Sequence, residues 1–452
     1  MRGLPGKLKY DFFTYVFVPF RLRSGNSDTF CEALVSQPSC QWRINDKIPG
    51  YLFRFVTNKI QGKNSSSCVH FVLDPDADVF KPKYQRVSRH PETVDVDPLG
   101  RYTIRLLGME LFCFSTNVCL LAVKVGFDSS DPDYLINGCY RLKFVEKTRY
   151  RTESAKEERT LLDLVKMQIE GTEAVCRPEF FYYTGNQDKS LNQNTAFLFS
   201  FWYLAQPRDF DEDMHYLCNA MGRRFHLVCT PQQLEAEKFQ IVKHVCWGVT
   251  GQAAVCIAQH IDGENFVENT LPGNIDTNYL FMFVYLLHQK YTLYHFMMQI
   301  DTELHHNINK LEQYQEELIR FKKDFVYARI SETPQYQLLY QKCVTAFALE
   351  EMYEDVEEPL SMIDDMETKR REKSDDFKNI LLAALGLLGL YSAIVDGDAF
   401  GDMLVTLFDK PDRIPQMLMT HLPHVVLFVL IAALLVYIVW SFIRNRKRSE
   451  HD

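Results

Sequence analysis

The chain has 452 residues, with 50 Lys and Arg against 59 Asp and Glu, for a formal net charge of −9. That acidic balance argues against a general nucleic-acid binder, which carries a basic surplus or stripe, so no direct nucleic-acid partner is expected. With 46 % hydrophobic and 24 % charged residues the material is ordinary and globular, enough for about two or three domains, and a mean hydropathy of −0.20 requires any membrane content to be concentrated in a few segments.

The opening MRGLPGKLKYDFFTYVFVPF has no basic stretch leading into a long apolar run and a small-residue cleavage site. No cleaved signal peptide is therefore expected, and the N-terminus is expected to stay in the cytosol. Residues 1–275 read as an α+β cytosolic domain. Runs rich in β-branched and aromatic residues predict strands at Thr14–Phe20, Val69–Leu73, Leu111–Phe114 and Val118–Val125. Glu110 and the polar Ser115-Thr116-Asn117 turn make Met109–Val125 a hairpin rather than a membrane span. Ala253–Ala258 is a further strand, with a turn expected at Trp247–Gly251. Helices are expected at Glu158–Ile169 and Glu212–Met221, and loops at Gly62–Ser67 and Asp128–Asp133. The 12 cysteines form no CxxC pair and read as buried, reduced thiols.

From Thr277 onward Gly and Pro almost vanish until the apolar C-terminal region, and the pattern becomes helical. Tyr279–Leu287 is apolar but spans only ~14 Å as a helix, which predicts a buried core helix rather than a membrane span. One helix is predicted over 277–329. Ser331-Glu332-Thr333-Pro334 then reads as a cap with proline in the first turn of a second helix. Continued to Val395, that helix would run ~90 Å, with Pro359 expected to kink or break it. Its lower half is acidic. Glu354, Asp355, Glu358, Asp364 and Asp365 read either as a solvated face or as carboxylates that meet between subunits and hold a divalent cation through oxygen.

Two uncharged segments follow, Ile380–Val395 and Val425–Ile443. The second matches the ~20 apolar residues a bilayer core requires, and the first approaches it through its flanks. Lys369, Arg370, Arg371 and Lys373 precede the first, and Arg444, Arg446, Lys447 and Arg448 follow the second. Lys/Arg excess marks the cytoplasmic side, so a hairpin in the plasma membrane with both ends in the cytoplasm is expected. The expected organisation is a sensor domain over 1–275, a stalk over 276–376, spans at 377–397 and 425–443, an outer loop at 398–424 and a basic tail at 444–452.

Two helices cannot enclose an aqueous path, so a pore requires several copies. Gly386, Gly389, Ala393 and Gly397 recur every three or four residues and share one side of the first span, where small residues allow close helix approach. Asp396, Asp398 and Asp402 follow and would become rings of carboxylates at a mouth. A passive membrane anchor remains the alternative reading of the same residues.

This order of parts, over about Thr277–Asp452, resembles the CorA-like metal-ion transporters. They combine a cytosolic α/β domain, a long stalk helix, a pore-lining first span, a second span and a basic tail, and they assemble as pentamers. The Gly-Met-Asn signature of that family is absent: Tyr391-Ser392-Ala393-Ile394 leads into Val395-Asp396-Gly397-Asp398-Ala399-Phe400. ELFCFSTNVCLLAVKV and NYLFMFVYLLHQKYTLYHF look similar to the divergent CorA-like membrane effectors of type III CRISPR systems. That resemblance implies a homo-oligomeric cation channel in antiviral defence, opened by a nucleotide second messenger such as adenylated S-adenosylmethionine. A divalent-cation transporter and a non-conducting tethered sensor are the alternatives.

No enzyme is expected: GxxxxGK[ST], HExxH and GxSxG are all missing. His305 and His306, adjacent in a helical stretch, point to different faces and do not share a metal. Trp202, Trp247, Arg223 and Arg224 are the candidates for holding an anionic, aromatic ligand.

Overall fold

The computed structural model describes residues 11–37, 40–45, 49–60, 67–87, 102–152, 157–181, 195–263, 266–303 and 308–361, and then 375, 378–382, 385–386 and 429. The architecture is mixed α+β. Its strands are β1 (Phe12–Leu22), β2 (Trp42–Ile44), β3 (Cys68–Leu73), β4 (Lys83–Arg86), β5 (Thr103–Phe114), β6 (Val118–Phe127), β7 (Arg149–Thr152), β8 (Arg159–Thr160), β9 (Pro178–Phe180), β10 (Phe197–Leu204), β11 (Lys238–Val242), β12 (Val245–Val249) and β13 (Ala253–Gln259). The helices are α1 (Ser27–Val35), α2 (Arg54–Ile60), α3 (Pro132–Leu142), α4 (Leu161–Gln168), α5 (Glu173–Cys176), α6 (Asp211–Cys218), α7 (Pro231–Glu237), α8 (Leu271–Asn274), α9 (Leu280–Glu303), α10 (Ile308–Phe325) and α11 (Pro334–Ala346).

One sheet organises them, in the order β11-β12-β13-β10-β1-β6-β5-β4-β7-β8, with β3 also on β5, β2 on β3 and β9 on β1. Neighbours run antiparallel except β10 and β13, which are parallel. β1 lies at the centre, and its unbroken apolar run FFTYVFVPF fits a strand buried on both faces. Pro19 interrupts nothing. Its carbonyl accepts from Phe181 on the β9 side, so its missing N–H falls between the end of β10 pairing at Phe17 and the start of β9 pairing at Phe20.

The two faces of the sheet bury different cores. Val16, Val18, Leu121, Val123, Trp202 and Ile257 point to the side that carries Phe30 and Leu34 of α1, Leu135 of α3, Leu164 of α4 and Met214 of α6. The opposite face is aromatic, and α9 lies on it. Phe199 and Phe283 have ring centres 4.4 Å apart, Phe114 stacks on His288 at 3.7 Å, and Trp247 meets Tyr279 at 4.6 Å.

Leu280–Leu287 are at most 2 % exposed, as the apolar run predicts for a core helix. α10, α11 and residues 349–361 pack on it: Tyr285 donates to the Phe325 carbonyl (2.6 Å), and Tyr353 donates to Gln289 (3.3 Å). Phe325 and Phe347 also reach the sheet, against Phe114 and Phe197. The single helix predicted over 277–329 is therefore corrected to an antiparallel pair. A continuous helix would separate residues 285 and 325 by ~60 Å, yet they share that hydrogen bond. α11 starts at Pro334 as expected, but Thr333 offers no side-chain cap; Ser331 accepts from the Thr333 N–H instead (3.1 Å). The break after α11 falls at Ala348, which has φ +53°, and Pro359 lies inside the helical segment 349–361. The turn predicted at Trp247–Gly251 is corrected in part: Trp247–Val249 belong to strand β12, and the turn into β13 lies at Thr250–Gln252, where the Thr250 N–H donates to the Ala253 carbonyl (3.0 Å). All 12 cysteines are free, and ten are buried.

Contacts divide the chain into one compact unit over Met1–Leu360 and a second over Ser361–Asp452. The helices from 280 to 360 thus belong to the unit that holds the sheet. Among the described residues no helix is long and apolar enough to cross a membrane. Most of the first predicted span and all of the second but Val429 fall outside the described residues, as do the outer loop, the basic tail, His305 and His306.

Burying His288, Gln289 and Lys290 in α9 is costly. Full burial of the eight apolar residues before them is worth roughly 1.5–3 kcal/mol each as an upper bound, which outweighs about 1–3 kcal/mol for each unsatisfied polar atom. Burial pushes the His288 pKa well below the ordinary range, and burial with the nearby Arg21 charge pushes that of His295 to about 4. Both histidines take up a proton near pH 6.5 once unfolded. Their contribution to stability is therefore present above about pH 6.5 and is lost as the pH falls toward 4, by up to about 1.4 kcal/mol per pH unit for each. Urea unfolding followed between pH 7 and pH 5 should show this loss, and His288→Leu should flatten the slope by about one proton. An unchanged slope would contradict the burial of a neutral imidazole there.

Candidate ligand pocket

A cavity of about 280 Å3 opens on the aromatic face of the sheet, between β3, β5, β6 and the start of α9. Its position follows from register. Lys124 on β6 stands opposite Tyr15 on β1 and opposite Gly108 on β5. Gly108 follows a bulge in β5, where the pairing shifts between Leu106 and Gly108. A row that would otherwise hold three side chains holds two, and the space left is part of the cavity.

α9 is entered through a π-helical turn over Ile275–Tyr279. Such turns are rare and concentrate at functional sites. This one carries Asp276 against the sheet. Lys124 donates to both Asp276 oxygens (2.6 and 2.7 Å), and the Tyr15 hydroxyl donates to Oδ1 (2.8 Å). The Lys124 ammonium also sits 3.8 Å from the centre of the Phe13 ring. Burial, and then the Asp276 and Glu110 charges, raise the Tyr15 pKa well above its usual value, so the phenol remains a donor.

Glu110 supplies the second carboxylate. Its Oε2 pairs with Nε2 of His70 at 2.8 Å. The His70 ring is buried against Phe112 (4.0 Å) and Phe281 (5.3 Å), and its Nδ1 has no hydrogen-bond partner among the described residues. Val72, Leu73, Phe80, Met109 and Phe281 make the apolar part of the wall. The site therefore combines two carboxylates, one ion-paired lysine and an apolar wall.

The residues named from sequence lie elsewhere. Trp202 and Trp247 occupy opposite faces of the sheet, because Trp247 pairs with Cys256, which pairs with Phe201, the neighbour of Trp202. They cannot hold one ligand together. Arg223 is neutralised by Asp133 (2.8 Å), Glu212 (3.0 Å) and Asp213. Arg224 donates to the Tyr140 hydroxyl (2.7 Å) and lies against the Phe225 ring.

Glu354, Asp355 and Glu358 are exposed on the helical segment 349–361. No group of three His, Cys, Asp or Glu able to hold a metal occurs among the described residues. Gly386 is helical and exposed, with nothing within 4 Å of an added Cβ. Asp364, Asp365, Gly389, Ala393, Asp396, Gly397, Asp398 and Asp402 lie outside the described residues. Sequence reasoning missed the pocket, although Lys124 is the lone charge in the apolar strand VCLLAVKVGF.

Comparison with family models, with curated proteins and with solved structures finds no match for this chain.

The two partners of the central ion pair differ in exposure, 18 % for Lys124 and 40 % for Asp276. Removing the carboxylate strands a largely buried ammonium, whereas removing the lysine leaves a half-exposed carboxylate still bonded to Tyr15. Asp276→Asn should therefore cost about 1–2 kcal/mol and Lys124→Met less than about 1 kcal/mol, the Coulomb part being reduced by solvent. A double-mutant cycle in urea should give a coupling of roughly 0.5–1.5 kcal/mol. Zero coupling would remove the pair as the tie between α9 and the sheet.

Proposed function

We propose that the chain is one subunit of a homo-oligomeric, pentameric, CorA-like cation channel in the plasma membrane, with both termini cytoplasmic. Residues 1–360 sense a nucleotide second messenger, and the channel acts as a type III CRISPR-associated effector. One observation carries the membrane part of this reading. In the second unit Ile380, Leu381, Leu382 and Leu385 are helical and 43–65 % exposed, and Val429 is 57 % exposed. Consecutive large apolar side chains on one exposed helix require lipid or further copies of the chain to cover them. They sit within the two uncharged segments whose basic flanks set the orientation.

The pore follows from this as a proposal. Two spans per chain conduct only as a ring, with Gly386, Gly389, Ala393 and Gly397 at the close-packed face and Asp396, Asp398 and Asp402 at the mouth. An acidic mouth attracts cations without demanding one hydration geometry, so flux is weakly selective and needs a closed resting state. The first unit, over Met1–Leu360, is large enough to hold a sensing site, and a ligand there can shift the resting state only through differential affinity.

Liposome flux with purified protein tests the proposal. Flux should be low alone, rise at least about tenfold with an activating nucleotide such as adenylated S-adenosylmethionine, and fall in Asp396→Asn/Asp398→Asn. Ligand-independent, magnesium-selective flux would favour the divalent-cation transporter. Nucleotide binding without flux would favour a tethered sensor.

A further inference from the structure

The pocket beside α9 has a charge pattern that neither the channel proposal nor the sequence reading uses. It contains one cation, Lys124, and two anions, Asp276 and Glu110. Lys124 is already committed, since both Asp276 oxygens accept from it and its other surroundings are the Phe13 and Tyr15 rings. Glu110 is not fully committed. Its Oε2 meets His70, and its other oxygen has no hydrogen-bond partner among the described residues. Two carboxylates and one lysine line the cavity, and the lysine is held by Asp276, so the excess charge of the lining is negative and resides on Glu110, next to an apolar wall.

We infer that this pocket binds a small organic cation, a primary ammonium on an apolar or aromatic body, with Glu110 accepting from the ammonium and Phe281 and Val72 covering the body. A phosphate or carboxylate in the same place would face two carboxylates and would find the lysine occupied. At about 280 Å3 the cavity falls near the lower end of small-molecule sites, so the cation is fragment-sized or is the amine-bearing end of a larger molecule. Asp276 lines the same cavity, and it ties the π-helical entry of α9 to β1 and β6. An ammonium beside Glu110 also reaches the field of Asp276 and competes with Lys124 for it, which loosens that tie. The inference stands independently of whether the chain conducts ions, because binding is measured apart from flux.

The test is calorimetric titration of the purified full-length chain with phenethylamine, with its neutral analogue 2-phenylethanol, with 3-phenylpropionate and with adenosine monophosphate. Phenethylamine should bind at least about tenfold more tightly than the other three. Glu110→Gln should weaken it by about ten- to a hundredfold, the range for a hydrogen bond to a charged group. Gly108→Ala serves as a second variant. The nearest atom to its added Cβ is Lys124 Cβ at 3.9 Å, an ordinary contact, so the fold should persist while the cavity narrows and amine affinity falls several-fold. Thermal melts followed by circular dichroism establish that each variant is folded, and Gly108→Ala decides the matter if Glu110→Gln is not. The inference is overturned if the amine fails to bind the wild type at millimolar concentration. Binding of the alcohol or either anion within about twofold of the amine would also overturn it, as would folded variants that keep full amine affinity.

Discussion

The burial of α9 against the aromatic face of the sheet is the contact on which the rest of the first unit depends. β1, β5, β10 and β12 send Phe13, Tyr15, Phe17, Phe112, Phe114, Phe199, Phe201 and Trp247 to that face, far more apolar area than solvent would tolerate. α9 covers it with Phe281, Phe283 and His288, and is itself covered by Phe321 and Phe325 of α10 and by Tyr353. A helix enclosed in this way can include His288, Gln289 and Lys290 only because its apolar gain is several times their desolvation cost. Lys290 shows the strain of that balance, with burial pushing its pKa down to about 8 while its ammonium lies near the Tyr294 and Phe347 rings.

The entry to α9 is held by polar contacts instead. Asp276 meets Lys124 and Tyr15, while Asn278 accepts from the Tyr51 N–H (3.0 Å). Tyr51 in turn accepts through its carbonyl from Ser331, just ahead of α11 (2.6 Å). One polar chain therefore joins the sheet, the start of α9 and the start of α11. Polar ties of this kind are worth far less than the aromatic contacts further along the helix, which makes the entry the part of α9 most easily shifted by a bound molecule. The pocket lies beside this weaker end.

The sequence shows the interior of the fold better than its reversals. β1, β3, the β5–β6 hairpin, β13, α4, α6 and the buried run of α9 are all legible, because apolar period and capping chemistry are local. Residues 280–329 contain no Gly or Pro to mark the reversal between α9 and α10, so only the Tyr285–Phe325 bond and the stacked rings reveal it. β12 reads as a turn because of Gly248. In the folded chain that glycine is required within a strand, since an added Cβ would lie 2.9 Å from Met214. The pocket is illegible for a different reason. Tyr15, Glu110, Lys124 and Asp276 are brought together by strand register and one bulge, across most of the first 276 positions. Trp202 and Trp247, which the sequence offers as candidates for holding an anionic, aromatic ligand, are buried on opposite faces.

Native-state hydrogen exchange measures the central claim, that α9 is an integral part of the sheet's core and not a stalk beside it. The amides of Leu280–Tyr291 should exchange only through global unfolding, with the same free energy and denaturant dependence as the central amides of β1 and β6. Exchange of α9 through a separate opening several kcal/mol below that of the sheet strands would contradict the account.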